Sequence, residues 1–276
     1  MLFFEFDCIE AGCQFSRKLS CAPNVFSKST EGNSLVSAVN AYLDLMGFTE
    51  VGWGKDILKA TLVTVTVALC GFAIGAVFGS MAAAASFSSL RVLRWISDGY
   101  TTLLRGIPDL LVIYLFYFGS SAVLSKFATM LGATGFVSAP VFLIGALAIG
   151  VVSGAYQAEV YRGAVLALSK GELEAARAYG MPSHLLFWRI ILPQAARFAI
   201  PGVGNVWQLV LKESALISVV GLIELMRQAQ IGAGSTRQPF TFFLTAAVFY
   251  LLISFVSGNV FQLAEKRAMR GIKRAI

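Results

Sequence analysis

The sequence predicts an all-α membrane protein with about five transmembrane helices. Of its 276 residues, 57% are hydrophobic and only 13% are charged, and the mean hydropathy is +0.74. A soluble domain carries about 25% charged residues. A chain this apolar cannot hide its apolar surface in one water-soluble core, and several of its apolar runs have the length of about 20 residues that a bilayer crossing requires.

Five apolar runs follow one another along the chain. The second run is interrupted by Arg105 and Asp109, so its register is open. In the first run Gly71, Gly75 and Gly79 recur at every fourth position. This spacing permits close approach of helix backbones in lipid, although the ordinary glycine content of membrane helices explains it equally well. The predicted spans are residues 57–85, 95–124, 139–165, 199–225 and 240–264.

Residues 1–50 differ from the rest of the chain. They contain no run long enough to span a bilayer, and they start with MLFFEFDCIE, which is acidic where a signal peptide is basic. We expect them to form a poorly ordered extension, with residues 1–45 arising from an upstream start codon, and residues 51–276 to form the transmembrane domain. The four cysteines, three of them within the first 21 residues, lack metal-ligand spacing, so no metal site is expected.

The basic residues predict the orientation of the chain. Segments 86–94, 166–198 and 265–276 carry eleven Lys and Arg residues, whereas the two short loops on the opposite side carry three. Since Lys and Arg concentrate in cytoplasmic loops, the 166–198 segment and the C-terminus are predicted to be cytoplasmic. With five crossings, the N-terminus is then outside. The same rule accounts for the net charge of +7, so no nucleic-acid partner is expected.

The segment 171–193, GELEAARAYGMPSHLLFWRIILP, is a charged stretch between apolar runs. Residues 172–179 are strong helix formers. Gly180 is suited to end this helix in a left-handed conformation, and Pro182 prevents its regular continuation. The first half of the segment is therefore predicted to be a short helix followed by a sharp turn.

A second short helix is predicted over residues 185–192. Ser183 is expected to cap its start, and Pro193 is expected to stop it. The resulting helix–turn–helix projects from the membrane and is suited to docking in a groove on a partner. The following PGVG sequence at 201–204 is expected to be a flexible start of the fourth span.

The 171–193 segment resembles the EAA loop of ABC-importer permeases. The triplet EAA at 174–176 is followed after three residues by Gly180 and after nine more by IILP at 190–193. In that family this loop is the coupling loop, which docks on a separate ATPase, and we use that name for residues 171–193. The resemblance extends over residues 50–276.

Three further stretches resemble the polar amino acid branch of the same family. RGIPDLLV at 105–112 is similar to its Arg-Gly-Thr-Pro region, with Ile107 in place of the usual Thr. GAYQAEVYRG at 154–163 is similar to its third-span signature. GNVWQLVLKESALISV at 204–219 resembles the Q-type subunits of histidine, octopine and nopaline uptake systems.

The resemblance implies a multi-pass protein of the bacterial inner membrane with the type I ABC importer permease fold. Such a permease takes up polar amino acids, and the Q-type resemblance favours basic amino acids or opines. It implies three partners: a cytoplasmic ABC ATPase dimer, a second permease of the M type, and a periplasmic solute-binding protein. The ATPase then binds ATP and Mg²⁺, and this chain is not an enzyme and holds no cofactor. The sequence agrees, because it contains no G-x-x-x-x-G-K-[ST] motif. The implied ATPase-coupling residues are Glu174, Ala175, Ala176, Gly180, Ile190, Leu192 and Pro193.

Five charged residues inside or at the edges of the apolar runs are candidates for the substrate pathway. Intramembrane charges usually face a cavity or pair with each other. One interpretation makes Asp109 and Glu159 part of an acidic path for cationic amino acids. The other makes Arg105 and Asp109 an i, i+4 helical ion pair and lets Lys212 extend to the interface. The five candidates are Arg105, Asp109, Glu159, Lys212 and Glu213.

Two other classes of function compete with transport. An intramembrane hydrolase needs clustered catalytic groups within the spans, and His184, the only histidine, lies in the coupling loop and cannot complete a Ser/His pair there. A membrane scaffold that only recruits an ATPase shares the coupling loop with a transporter. The sequence favours the permease over both.

Overall fold

The computed structural model describes residues 52–130 and 140–270, together with Tyr42 and residues 45–47. Within these ranges the chain is helical with short connections and has no strand, which confirms the all-α prediction. The helices are α1 Gly54–Ser86, α2 Arg91–Gly106, α3 Asp109–Met130, α4 Val141–Leu166, α5 Lys170–Ala178, α6 Ser183–Leu186, α7 Leu192–Ser214, α8 Leu225–Thr236 and α9 Pro239–Ala268. A π-helical turn, Phe187–Ile191, joins α6 to α7, and a 3₁₀-helix, Ala215–Val220, follows α7.

Three of the described helices, α1, α4 and α9, are each long and apolar enough to cross a membrane. Helix α2 and the first part of α3 make a fourth span only as a bent pair with an angle of 107° between them. The predicted second span is therefore two helices, not one. The break falls at Pro108, because proline lacks a backbone N–H and holds the preceding Ile107 in an extended conformation, with φ of −94° and ψ of 141°.

The predicted fourth span, 199–225, covers parts of three elements: most of α7, the 3₁₀-helix and the first residue of α8. Gly221, with φ of +99°, ends the 3₁₀-helix in a left-handed conformation. The PGVG sequence at 201–204 lies inside α7, so the prediction of a flexible helix start is wrong. By length and composition α7 is not among the described helices that can cross a membrane alone.

Helices α1 and α4 pack along a stripe of glycines. A Cβ atom added at Gly71 would lie 2.8 Å from the Ile149 side chain, and one added at Gly79 would lie 2.8 Å from Cβ of Gln157. The buried Gln157 donates from Nε2 to the carbonyl oxygen of Phe72 at 3.1 Å. Close backbone approach, one of the two interpretations of the glycine spacing, is therefore confirmed.

A buried carboxylate that the sequence did not single out joins α1, α8 and α9. Glu224 is fully buried and caps the start of α8, since its carboxylate accepts the backbone N–H groups of Met226 at 2.9 Å and Arg227 at 2.8 Å. The hydroxyl groups of Tyr250 at 2.9 Å and Thr64 at 3.4 Å donate to the same carboxylate. Four donors thus compensate the burial of this carboxyl group.

Most of the predicted N-terminal extension, including its three cysteines, lies outside the described residues. The hydroxyl of Tyr42 shares a hydrogen bond of 3.1 Å with that of Thr245 on α9. Leu45 and Met46 pack against the apolar cluster around Phe242. The described residues of this segment therefore contact the C-terminal helix.

Candidate functional site

Helix α5 forms the first half of the coupling loop and presents two different faces. Ala176 is buried against the protein, whereas Glu174 and Ala175 are exposed. Gly180 has φ of +74°, and the N–H of Met181 donates to the carbonyl oxygen of Ala176 at 3.2 Å. This is the left-handed helix end that was predicted for Gly180.

The second half of the coupling loop departs from the prediction. Ser183 is the first residue of α6, Pro182 precedes it with an extended backbone, and no side-chain cap forms, so the predicted Ser183 cap is wrong. The predicted stop at Pro193 is also wrong, because the chain continues through the π-helical turn into α7. In that turn the N–H of Leu192 donates to the carbonyl oxygen of Phe187, five residues earlier. The wider turn accommodates the proline ring, which would clash with a regular preceding turn.

The outer surface of the coupling loop is rich in aromatic side chains. Tyr179 is 93% exposed and Trp188 is 65% exposed, and the Phe187 ring contacts Trp188 edge-on with a centroid distance of 5.7 Å. Nε2 of Gln194 donates to the Glu172 carboxylate at 2.9 Å, which joins the start of α5 to α7. The loop therefore presents exposed aromatic and small residues on a frame attached to α7.

The remaining predicted coupling residues lie where the loop joins α7. Ile190 is half-buried, and Leu192 and Pro193 are exposed. The seven predicted residues thus belong to one continuous segment, but they do not share one face. Ala176 packs inward and supports the loop, while the exposed members are free to contact another molecule.

Two of the five predicted pathway residues meet near the bend between α2 and α3. Glu213, next to the last residue of α7, is 3% exposed, and the carboxyl group of Asp109, the first residue of α3, lies beside it. Tyr156 of α4 lies within electrostatic range of both carboxyl groups, and the guanidinium carbon of Arg105 lies 5.6 Å from the centre of its ring. The adjacent Lys212 is exposed. We call Asp109 and Glu213 the acidic pair.

The predicted helical ion pair between Arg105 and Asp109 is not formed. The two residues lie on different helices, separated by the bend, and among the described residues the ion pairs of this region involve Arg162 instead. Arg162 lies 3.5 Å from Asp98 and 3.8 Å from Glu159. Glu159 therefore belongs to a separate charged group and not to the acidic pair.

Two residues of these polar groups were missed by the sequence reasoning. Tyr156 lies within the 154–163 stretch that carried a family resemblance, but nothing in the sequence indicated that its ring would lie against the Arg105 guanidinium. Glu224 directly precedes α8, and an acidic residue at that position is a common helix cap. The capping role of Glu224 could therefore have been predicted from the sequence, whereas its contacts with α1, α8 and α9 could not.

Comparison with known proteins places the chain in a family. Residues 75–270 match the model of the binding-protein-dependent transport system inner membrane component. Over 235 residues the chain is 70% identical to an octopine transport system permease protein, OccQ, of Rhizobium radiobacter, with 85% of this chain and 99% of that protein covered. It is 49% identical over 232 residues to the nopaline permease NocQ of Agrobacterium fabrum, with 84% and 98% covered.

A solved structure agrees with these sequence relatives. The fold is similar to that of an amino acid ABC transporter crystallised with histidines, with a TM-score of 0.69 and 26% sequence identity, and 86% of this chain and 100% of that chain are covered. The family match, the relatives and the shared fold confirm the predicted type I importer architecture. The chain belongs to the binding-protein-dependent inner membrane components, the permease subunits of ABC importers.

Proposed function

We propose that the chain is the permease subunit of an opine importer, with octopine as the first substrate to test and basic amino acids as secondary ones. The observation that carries this proposal is the 70% identity to an octopine permease over 235 residues, against 49% to a nopaline permease. Octopine is an arginine derivative, so a permease for it handles a guanidinium group. The acidic pair near the α2–α3 bend supports a cationic substrate.

Import of this kind requires energy that the chain does not supply itself. We assign ATP and Mg²⁺ to a cytoplasmic ATPase dimer that grips the coupling loop. Glu174 and Ala175 lie on the exposed face of α5, where a small side chain allows close approach, and Tyr179 extends that surface at 93% exposure. Gly180 makes the turn that separates α5 from α6. The other partners are a second permease of the M type and a periplasmic solute-binding protein.

Helix α7 is the element that connects the coupling loop to the acidic pair. It runs without interruption from Leu192 to Ser214, and from Leu192 to Glu213 it spans about 32 Å at 1.5 Å per residue. Closure of the ATPase dimer moves the coupling loop, and α7 carries this displacement to the carboxyl groups. The two arrangements of the permease then differ in which side of the membrane the pathway faces.

The orientation that fits this function has the coupling loop and the C-terminus in the cytoplasm and the N-terminus outside. The excess of basic residues in the 166–198 and 265–276 segments supports it. Two single-cysteine variants test it directly, each in a chain whose four native cysteines are replaced by serine. A cysteine at the exposed position 179 should react with a membrane-impermeant maleimide only after the inner membrane is opened, whereas one introduced between residues 131 and 139 should react in intact spheroplasts.

Uptake measurements test the function. A strain without opine transport receives this permease together with the M-type permease, the ATPase and the solute-binding protein proposed as its partners. The accumulation of labelled octopine is measured against unlabelled octopine, nopaline, arginine and glutamine. We expect octopine to compete best, then arginine, with little effect of glutamine. Accumulation that only neutral amino acids inhibit contradicts the proposed substrate class, and no accumulation of any amino acid contradicts a transport role.

A further inference from the structure

Arg237 has an unusual backbone conformation. Among the described residues it is the only one other than glycine with a positive φ, at 56°, and it ends α8 in the left-handed conformation. The described glycines with positive φ are Gly180 and Gly221, and glycine adopts this conformation freely. A residue with a Cβ atom is disfavoured there. The arginine at this position therefore indicates a role for its side chain outside the helix end itself.

Arg237 lies at the end of the protein opposite the coupling loop. Helix α9 begins two residues later and packs antiparallel to α7. Nε2 of Gln208 donates to the carbonyl oxygen of Ser254 at 3.1 Å, whereas a Cβ atom at the earlier Gly204 would lie 3.2 Å from the later Phe261 ring. Since α7 begins at the coupling loop, α9 begins at the other end of the protein. In the proposed orientation Arg237 therefore faces the periplasm.

Helix α8 has one buried face and one exposed basic face. Ala229 and Ala233 are buried against α1 and α9. Arg227, Gly234 and Arg237 are exposed and recur at intervals of seven and three residues, which places them on one side of the helix. Because arginine is strongly disfavoured against lipid hydrocarbon, this side of α8 contacts water or another protein.

The basic residues at this end have no acidic counterpart on the described surface. Neither Arg227 nor Arg237 forms an ion pair with a described residue. Lys59 of α1 is also exposed and lines a small groove between α1 and α8. The acidic residues described at this end are Asp56, which is half-buried, and Glu224, which is fully buried. We call Lys59, Arg227 and Arg237 the outer basic surface.

We propose that the outer basic surface docks a complementary acidic surface of the solute-binding protein, with Arg237 as its principal contact. This inference rests on the proposed function, in which that protein is a partner. Arg227 and Arg237 are ten residues apart, about 15 Å along the helix axis. Charges spread over this length on an open helix face suit the broad surface of a protein, whereas small substrates bind in enclosed sites. Opposite charges across such an interface speed association and fix the orientation of the partner.

The test uses the complete importer in lipid nanodiscs, where both faces of the membrane are accessible. ATP hydrolysis is measured against the concentration of the octopine-loaded binding protein, in discs with and without phosphatidylglycerol. Arg237→Glu and Arg227→Glu reverse one charge each. Arg237→Gly removes the side chain and keeps the left-handed backbone accessible. Lys266→Glu is the matched control, because Lys266 is exposed near the end of α9, on the side of the coupling loop.

We expect the binding-protein concentration for half-maximal hydrolysis to rise about threefold in Arg237→Gly, which loses one exposed ion pair, and about tenfold in Arg237→Glu, which adds repulsion. Arg227→Glu should show a smaller rise. The maximal rate should stay within about twofold of wild type. At 1 M salt, where the Debye length is about 3 Å, the variants should approach wild type. Lys266→Glu should match wild type throughout.

Several results overturn the inference. An unchanged half-maximal concentration in Arg237→Glu excludes docking at this residue, and a lower maximal rate at unchanged half-maximal concentration assigns Arg237 to a later step. Loss of assembled complex in both Arg237 variants assigns it to a contact with the M-type permease. An effect confined to discs with phosphatidylglycerol assigns it to the lipid surface.

A separate result distinguishes this inference from the proposed function. If the wild-type complex responds to the binding protein loaded with arginine but not with octopine, the opine proposal fails. The same variants measured with arginine then still decide whether the outer basic surface docks the binding protein.

Discussion

The contact between α1 and α4 gives a prediction whose size follows from the structure. A Cβ atom at Gly79 would lie 2.8 Å from Cβ of Gln157, 2.9 Å from the carbonyl oxygen of Gly154 and 3.1 Å from the backbone nitrogen of Ala158. Two of these three atoms belong to the backbone, so no side chain can rotate away. To restore ordinary contacts of about 3.4 Å or more, the two helices must separate by about half an ångström.

We expect Gly79→Ala to destabilise the permease by about 1–3 kcal/mol, the usual cost of overpacking. The higher helix propensity of alanine offsets about 1 kcal/mol of this, so a net loss of up to about 2 kcal/mol remains. For a chain of this size such a loss lowers Tm by up to roughly 8 °C. The measurement is the thermal unfolding of the purified permease–ATPase complex in detergent.

Gly119→Ala provides the matched control for Gly79→Ala. Gly119 lies within α3, and a Cβ atom there meets no other heavy atom within 4 Å. Alanine at this position gains helix propensity without a clash, so Tm should stay the same or rise. If Gly79→Ala and Gly119→Ala shift Tm in the same direction and by the same amount, close α1–α4 packing does not stabilise the fold and the argument fails.

Three further changes test the coupling loop and the buried carboxylate. Ala175→Trp should reduce octopine uptake at least about tenfold while the amount of permease in the membrane stays normal. Ala175 is exposed in this chain, so the large tryptophan side chain would clash only with the ATPase; normal uptake would exclude Ala175 from the ATPase interface. Gly180, with φ of +74° and open space around its Cβ position, should tolerate Asn better than Val in an uptake assay, since only the left-handed backbone opposes the change; equal uptake would contradict this. Tyr250→Phe removes one donor from Glu224 and should lower Tm by a few degrees through a loss of about 1–3 kcal/mol; an unchanged Tm would show that the remaining donors suffice.

Local sequence signals predicted the features that depend on neighbouring residues. Gly180 was predicted to end α5 in a left-handed conformation because a residue without Cβ adopts that conformation freely, and it does so. The sequence showed that charged residues and Pro108 interrupt the second apolar run, but it did not show that the run forms two helices at a sharp angle. A proline shows that a helix breaks or bends, whereas the angle of 107° is set by the packing of α2 and α3 against the rest of the protein.

Contacts between residues far apart in the chain could not be predicted from the sequence. The partners of Glu224 include Thr64, which is 160 residues away, and Glu213 meets Asp109 from a different helix. Nothing in a pattern of spans fixes how the helices rotate about their axes, and that rotation decides which charges face each other. The sequence therefore identified both members of the acidic pair as candidates but could not distinguish them from Glu159, which contacts Arg162.

The predictions for Pro193 and for the PGVG sequence at 201–204 are wrong for the same reason: each considers only the local effect of a proline on the backbone. Pro193 was expected to stop a helix and Pro201 to start a flexible one, but both lie within the continuous helix α7. The π-helical turn accommodates the first. Beyond the second, a Cβ atom at Gly202 would lie 2.7 Å from the Val160 side chain of α4, and one at Gly204 would lie 3.2 Å from the Phe261 ring of α9. These glycines are points of close contact, so they fix α7 against its neighbours. Under the proposed function, a displacement of the coupling loop would therefore reach Glu213 as a movement of the whole helix, together with the parts of α4 and α9 that pack against it.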